Sequence, residues 1–185
     1  MIILASSSPR RKELLSKIIN NFEIIVSEID EEKLITKDLN VMDVPEFLST
    51  KKALDVFNKH PNDLIIAADT AIIFDNKIYG KPNDKSDAKK MLNTFSNNSH
   101  YVVTGVCIIS NKKTISFSSI NEVCFYKLSE QEIDEYLSSD EYKDKAGSYA
   151  IQGNGALFIS NIKGDYNSII GLPISQINRI LKNFF

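Results

Sequence analysis

The chain has 185 residues, of which 43% are hydrophobic and 25% charged, with 22 Lys and Arg against 24 Asp and Glu. This is the composition of an ordinary globular protein, and we expect residues 1–185 to form a single domain. A formal net charge of −2 excludes a broad basic surface, which disfavours proteins that bind nucleic acid or anionic membranes. Two cysteines exclude a disulfide framework and a four-thiolate metal site.

The first residues are apolar, but they do not have the pattern of a signal peptide. No basic segment precedes Met1–Ala5, and the polar segment Ser6–Arg11 follows it at once. No stretch of the sequence reaches the ~18 apolar residues that a transmembrane helix requires. We therefore expect a cytoplasmic protein that does not bind membranes.

Strands and helices alternate along the chain. Short apolar runs predict strands, and apolar residues three or four positions apart predict helices. The predicted strands cover 2–5, 22–27, 63–69, 71–74, 77–79, 101–110, 114–118 and 121–127, with a hairpin turn at Asp75-Asn76. The predicted helices cover 10–19, 43 or 44 to 60, 85–95, 130–138 and 174–183, and residues 149–160 are expected to be partly loop. The pattern indicates an α/β protein with a mixed sheet and flanking helices.

The segment Ser6–Arg11 lies where the first predicted strand passes into the first predicted helix. Ligands of open α/β sheets bind at such junctions, and a helix N-terminus favours anions. Ser6, Arg10 and Arg11 would suit a phosphate chain there, because arginine binds phosphate through two parallel hydrogen bonds and stays charged. The residues alone support equally well a serine that caps the helix, followed by a proline and two solvated arginines.

Two acidic positions could belong to a catalytic or metal site. Asp69 ends a nearly all-apolar strand and is followed by Thr70. Burying an unpaired carboxylate is costly, so Asp69 either faces a cleft at the edge of the sheet or begins a turn. The acidic segment Asp30-Glu31-Glu32 is either a solvated turn or joins Asp69 in a site for a divalent cation.

Two later residues could contribute to a nucleotide site. Lys81 could place a point charge near phosphate, although a solvated lysine is the more common case. Gln152 follows Ile151 in a glycine-containing segment, and its carboxamide offers the donor and acceptor that the imide edge of uracil or thymine needs. Without further context this segment is only a turn. No Walker P-loop motif occurs in the sequence, and His100 is expected in a loop.

Taken together and in this order, these segments resemble the Maf family of nucleotide pyrophosphatases, the septum-formation-inhibitor-like proteins. The resemblance runs nearly from end to end. Its blocks are Leu4–Leu15, Ile29–Glu31, Lys52-Ala53, Ala68–Thr70, Gly80–Pro82, Thr104–Val106, Asp144–Gly153, Gly164–Tyr166 and Gly171–Pro173.

The resemblance implies a fold shared with inosine-triphosphate pyrophosphatases, in which two lobes flank a central cleft. It implies cleavage of a nucleoside triphosphate to the monophosphate and pyrophosphate, and the segment Lys145–Gly153 is similar to the branch that acts on dTTP and UTP. Tolerance of the thymine methyl group extends the expected substrates to modified pyrimidine nucleotides. The likeness also implies a homodimer. The alternative that it raises is a non-catalytic regulator of septum formation that binds protein or nucleic acid.

The same resemblance implies a role for each candidate residue. Asp69 is the expected proton acceptor. The residues expected to govern base choice are Thr70, Gln152 and one arginine, Arg11 in preference to Arg10. Positive charge for the phosphates is expected from Arg10, Arg11, Lys52 and Lys81, with Ser6 fixing phosphate oxygens. A divalent cation, Mg²⁺ in the first place and Mn²⁺ as the alternative, is expected to bridge the phosphates to Asp69 and Glu31.

Overall fold

The computed structural model describes residues 1–36 and 38–184. Its strands are β1 (Ile2–Leu4), β2 (Glu23–Ile24), β3 (Leu64–Phe74), β4 (Lys77–Tyr79), β5 (Ser99–Ile109), β6 (Thr114–Phe125) and β7 (Ile159–Lys163). Its α-helices are α1 (Pro9–Ser16), α2 (Glu31–Leu34), α3 (Val44–Lys59), α4 (Lys85–Phe95), α5 (Glu130–Ser138), α6 (Tyr166–Ile170) and α7 (Ile174–Leu181). Two 3₁₀ turns span Ala146–Ser148 and Asn154–Phe158.

In the described part of the chain, seven strands form a mixed sheet in the order β2-β1-β3-β5-β6-β7, and β4 pairs with β3. Strand β1 runs parallel to both neighbours, with Ile3 opposite Glu23 on one side and Ile65 on the other. The pairs β3–β4 and β6–β7 are antiparallel. The α/β class with a mixed sheet and flanking helices is therefore confirmed.

The predicted elements with strong local signals have the expected bounds. Helices α4 and α5 begin and end at the predicted residues, and side chains cap both N-termini: Asp84 accepts from the backbone of Asp87, and Ser129 forms a reciprocal capping box with Glu132. The hairpin between β3 and β4 is also confirmed. Its turn residues have φ values of 48° and 55°, as a two-residue turn with two positive φ angles requires.

Several other predicted boundaries are wrong. Residues 63–69 and 71–74 largely belong to one strand, β3, and residues 114–118 and 121–127 largely belong to another, β6. Polar side chains interrupt each apolar run without interrupting the extended backbone, because the hydrogen-bond ladder needs only main-chain groups. The predicted strand 22–27 shrinks to the two exposed residues of β2. Elements α2, β7 and α6 were not predicted, since segments of four or five residues are too short for a periodic pattern to stand out.

Contacts divide the chain into two compact units. The first unit comprises Met1–Thr70, Val103–Ser119 and the segment from Asp165 onward, and the second comprises Ala71–Val102 and Ile120–Gly164. The first unit has a core cluster of small and branched side chains: Ile3, Ala5, Ala53, Val56, Ile65, Ala67, Cys107 and Ile109. None of the helices in the described residues is long and apolar enough to cross a membrane.

The second unit has an aromatic core centred on Phe95, whose ring contacts the ring of His100 at a centroid distance of 4.5 Å. His100 therefore lies in β5 and is fully buried, not in the loop that we predicted. Burial lowers the pKa of His100 to about 4 and raises the pKa of Tyr149. The Tyr149 hydroxyl and His100 Nε2 share a hydrogen bond of 2.6 Å between these two neutral side chains, and the tautomer of His100 decides which of them donates.

A close approach between β5 and α3 positions the latter helix in the first unit. A Cβ atom at Gly105 would overlap the backbone of Pro45 and Glu46, so only glycine fits there. The Glu46 carboxylate accepts hydrogen bonds from the hydroxyls of Ser116 at 2.6 Å and Ser118 at 2.9 Å. These contacts fix the first turn of α3 against β5 and β6.

Candidate functional site

Most of the residues that the sequence singles out belong to the first unit. Six of them contact at least one other member of the set: Ser6, Arg11, Glu31, Lys52, Asp69 and Thr70. They form two groups. We call Glu31, Lys52 and Asp69 the carboxylate–lysine cluster, and we call the hydrogen bonds around Arg11 the arginine network.

Parallel strands bring these groups to one edge of the sheet. The backbone amide of Ala5 donates to the Ile66 carbonyl over 2.8 Å, which continues the pairing of β1 with β3. Ser6 follows directly, where β1 passes toward α1. Asp69 lies inside β3 and not at its end as predicted, and it follows Ile66, the partner of Leu4 in β1. The carboxyl ends of parallel strands are where ligands bind in open α/β sheets.

The carboxylate–lysine cluster joins three separate elements. Lys52 Nζ in α3 lies 2.7 Å from Asp69 Oδ1 in β3 and 2.9 Å from Glu31 Oε1 at the start of α2. The side chains of Lys52 and Asp69 are 13% and 15% exposed, whereas that of Glu31 is 45% exposed. One partly buried ammonium therefore holds two carboxylates that would otherwise repel each other.

The donor chemistry of this cluster suits a divalent cation only in part. Magnesium is commonly held by one or two carboxylates together with substrate phosphates, so Glu31 and Asp69 supply suitable oxygen atoms. Within the described residues, no three His, Cys, Asp or Glu side chains come together as a metal-binding group. The remaining ligands of an ion here would therefore have to come from substrate and water.

Arg11 is held by three hydrogen bonds from its guanidinium. Its Nε donates to the Gly171 carbonyl at 3.0 Å, Nη1 to Ser6 Oγ at 3.3 Å and Nη2 to Thr70 Oγ1 at 3.1 Å. Burial lowers the pKa of Arg11, and the charges of Asp69 and Glu31 act in the opposite direction. The guanidinium remains a cation, fixed in place before any ligand arrives.

These contacts resolve the two interpretations of the segment around α1. Ser8 does cap the helix, since its hydroxyl accepts from the Arg11 backbone amide at 3.4 Å and Pro9 is the first helical residue. The arginines are not equivalent, however. Arg11 reaches Thr70 and Gly171, and Arg10 makes none of these contacts.

Thr104 completes the arginine network, although the sequence analysis assigned it no role. Its hydroxyl lies 2.8 Å from Thr70 Oγ1 and donates to the Ser168 carbonyl over 2.8 Å. Thr104 is fully buried in β5. The available signal was a lone hydroxyl in the otherwise apolar or glycine run of residues 103–109, because burying a hydroxyl without a hydrogen bond is costly.

The two remaining predicted residues belong to the second unit. Lys81 is 66% exposed, and its Nζ lies 3.6 Å from Asp144 Oδ1. Gln152 is exposed in the segment between the two 3₁₀ turns. The structure thus gives Lys81 an acidic neighbour that the sequence analysis did not consider.

Glu141 organises the segment that carries Gln152, and no local pattern marked it. Its carboxylate accepts from the backbone amides of Asn154 at 2.9 Å and Gly155 at 3.3 Å. A Cβ atom at Gly153 would overlap this carboxylate, so a larger residue there would have to displace the Glu141 side chain. Glu141 therefore fixes the backbone immediately after Gln152.

Comparison with known proteins identifies the family. A model of the Maf-like protein family matches residues 1–184. A relative from Bacillus mycoides named dTTP/UTP pyrophosphatase is 48% identical over 99% of this chain and 95% of its own length. Two solved structures share the fold. The Ham1 protein of Staphylococcus aureus has a TM-score of 0.55 at 14% identity, and the match covers 100% of this chain and 99% of the Ham1 chain. A dITP/XTP pyrophosphatase of Mycobacterium abscessus has a TM-score of 0.50 at 10% identity, and the match covers 100% of this chain and 98% of that chain. The chain belongs to the Maf family.

Proposed function

We propose that the protein hydrolyses dTTP and UTP between the α and β phosphates, which gives the nucleoside monophosphate and pyrophosphate. The observation that carries this proposal is Asp69 held by Lys52 at 2.7 Å, adjacent in sequence to Thr70 of the arginine network. Relatives that are 46–48% identical and named dTTP/UTP pyrophosphatase support the choice of substrates.

Binding of the triphosphate relies on several cationic side chains. A guanidinium has five N–H donors, and Arg11 uses three of its nitrogens on protein acceptors. The donors left over serve the nucleotide. Lys52 and the second-unit Lys81 add point charges, as does Arg10, while Ser6 fixes a phosphate oxygen. Hydrolysis of this kind depends on orientation and charge neutralisation more than on covalent catalysis.

Asp69 acts as the proton acceptor for the water that attacks the α-phosphorus in line. Lys52 contacts Oδ1, which orients the carboxylate and leaves Oδ2 to accept the proton. Glu31 and Asp69 would hold a divalent cation, Mg²⁺ or Mn²⁺, which when bound neutralises phosphate charge and acidifies water. Arg11, Thr70 and Gln152 govern base choice, which admits modified pyrimidine nucleotides as further substrates.

The wider setting of this activity is also part of the proposal. Residues 1–185 act as one Maf-like domain in a cytoplasmic homodimer. The net charge of −2 and the small-molecule substrates named for the relatives support activity without nucleic acid or membrane. A link to cell-division arrest would then follow from nucleotide hydrolysis.

Product analysis of a nucleotide panel tests the proposal. Wild-type protein is incubated with dTTP, UTP, CTP, GTP and 7-methyl-GTP, with and without Mg²⁺, and products are separated by ion exchange. Monophosphate and pyrophosphate from dTTP and UTP, with far slower turnover of the others, are expected. No turnover of any nucleotide would instead support the non-catalytic regulator of septum formation.

A pair of variants tests the role of Asp69. Asp69→Asn should lower kcat by at least ~10²-fold with little change in KM, as removal of a general base does. Asp55→Asn is the matched control, because Asp55 also contacts a lysine of α3, Lys59 at 3.7 Å, in the same unit. Equal kcat losses in the two variants would refute the assignment of Asp69.

A further inference from the structure

The donor and the acceptor of each hydrogen bond in the arginine network can be assigned. The Ser168 carbonyl can only accept, so the Thr104 hydroxyl hydrogen is used in their 2.8 Å hydrogen bond. Thr104 Oγ1 must then accept from Thr70, because the two hydroxyl oxygens lie 2.8 Å apart. The Thr70 hydroxyl therefore donates to Thr104.

Arg11 makes a second hydrogen bond with the Thr70 hydroxyl. The Nη2 atom of Arg11 can only donate, so Thr70 Oγ1 accepts from it at 3.1 Å. A hydroxyl has one hydrogen and two lone pairs. The hydrogen goes to Thr104, one lone pair goes to Arg11, and a single lone pair remains. Toward any ligand, Thr70 can therefore act only as an acceptor.

We infer that Thr104 is a specificity-positioning residue, which sets Thr70 as a hydrogen-bond acceptor for the N3–H group of uracil or thymine. The inference rests on the proposed function, in which Thr70 governs base choice. Cytosine presents a lone pair at N3, and an acceptor opposite that lone pair repels it. Discrimination against cytosine thus originates partly at Thr104, which is fully buried and contacts no substrate.

The C-terminal end of α6 keeps these donor and acceptor roles fixed. Ser168 lies in α6, and Gly171 follows the last residue of that helix with a φ of 136°. Their carbonyls accept from Thr104 and Arg11 respectively. Carbonyls at a helix C-terminus lack partners within the helix, so they are strong fixed acceptors for both donors. Thr104 cannot turn its hydrogen toward Thr70 without giving up its hydrogen bond to the Ser168 carbonyl.

Three variants of the full chain test this inference. Thr104→Val removes the acceptor for the Thr70 hydrogen and frees that hydrogen to donate to cytosine N3. Thr104→Ser keeps the hydroxyl. Thr50→Val is the matched control, because the Thr50 hydroxyl also donates to a backbone carbonyl in the first unit, that of Glu46 at 2.9 Å. Values of kcat/KM are measured for UTP and CTP with each protein, together with Tm.

The expected result is a change of preference and not only of rate. Thr104→Val should lower the UTP:CTP ratio of kcat/KM by about tenfold, the effect of one neutral hydrogen bond, while Thr104→Ser and Thr50→Val keep the wild-type ratio. A purely structural role would lower Tm or both kcat/KM values together. An unchanged ratio in Thr104→Val would overturn the inference while leaving the pyrophosphatase activity established.

If Thr104→Val does not fold, the substrate can be altered instead. The N3-methyl analogue of UTP carries a methyl group in place of the N3 hydrogen and so offers Thr70 no donor. Wild-type protein should hydrolyse this analogue about tenfold less efficiently than UTP. Equal kcat/KM values for UTP and its analogue would overturn the inference, and no hydrolysis of UTP itself would refute the proposed function and the inference together.

Discussion

The carboxylate–lysine cluster makes a quantitative prediction for stability. Lys52→Met keeps a long apolar stem but removes the ammonium that lies 2.7 Å from Asp69 and 2.9 Å from Glu31. Asp69 is only 15% exposed, so its carboxylate is left poorly solvated and without the contact from the ammonium. The variant therefore loses two ionic contacts and exposes two like charges to each other.

The magnitude follows from the exposure of each partner. A hydrogen bond to a charged group contributes about 1.5–3 kcal/mol, which applies to the partly buried contact with Asp69. The contact with Glu31, which is 45% exposed, adds less than about 1 kcal/mol because water screens it. We expect the free energy of unfolding to fall by about 2–3 kcal/mol, which lowers Tm by about 4–12 °C in a protein of this size.

The control is another lysine of the same helix that is placed between two carboxylates. Lys59 lies 2.6 Å from Glu28 and 3.7 Å from Asp55, but its side chain is 47% exposed. Thermal and urea unfolding of both variants at pH 7 should show a clear loss for Lys52→Met and a much smaller one for Lys59→Met. Equal losses in the two variants would refute the argument that burial makes the Lys52 contacts strong.

Three further predictions concern other contacts. Gly105→Ala should lower the free energy of unfolding by about 1–3 kcal/mol, because its Cβ overlaps the first turn of α3, whereas Gly80→Ala, with nothing within 4 Å of its Cβ, should not. Burial lowers the pKa of His100 to about 4 from 6.5, so the unfolded chain binds the proton first as pH falls. Stability should therefore decrease between pH 6.5 and pH 4 by up to about 3 kcal/mol, and His100→Gln should lack this part of the slope in urea titrations across that range. Glu141→Ala frees the backbone after Gln152 and should lower the UTP:CTP ratio of kcat/KM.

Each of these predictions has an outcome that contradicts it. A Gly105→Ala protein as stable as Gly80→Ala would mean that α3 shifts without cost. If the free energy of unfolding of His100→Gln falls between pH 6.5 and pH 4 as steeply as that of the wild type, the loss of stability in acid belongs to other groups. An unchanged UTP:CTP ratio in Glu141→Ala would mean that the Gln152 loop keeps its conformation without the carboxylate.

The sequence predicts those features whose causes are local. Helices α4 and α5 were placed correctly because a capping side chain and an apolar stripe mark each one within a single turn of its ends. The split of β3 at Thr70 was wrong for the opposite reason. The polar residues there contact partners that are distant in sequence, and nothing local indicates that the strand continues past them.

The site shows the same division between local and distant causes. The end of a predicted apolar strand marked Asp69 and a matched family block marked Lys52, but neither indicated that one ammonium joins Asp69 to Glu31. The role of Thr104 depends on Thr70, 34 residues away in the sequence, and on a carbonyl 64 residues away. No periodicity or spacing rule encodes such pairs, since the sheet topology alone brings them together.

The most direct test of the proposed reaction follows the oxygen of the attacking water. UTP is hydrolysed in H₂¹⁸O by wild-type protein, and the products are analysed by mass spectrometry, with Asp69→Asn alongside. We predict one ¹⁸O atom in UMP, none in pyrophosphate, and at least ~10²-fold slower release of both products by the variant. Label in pyrophosphate, or an undiminished rate in Asp69→Asn, would contradict attack at the α-phosphorus with Asp69 as the proton acceptor.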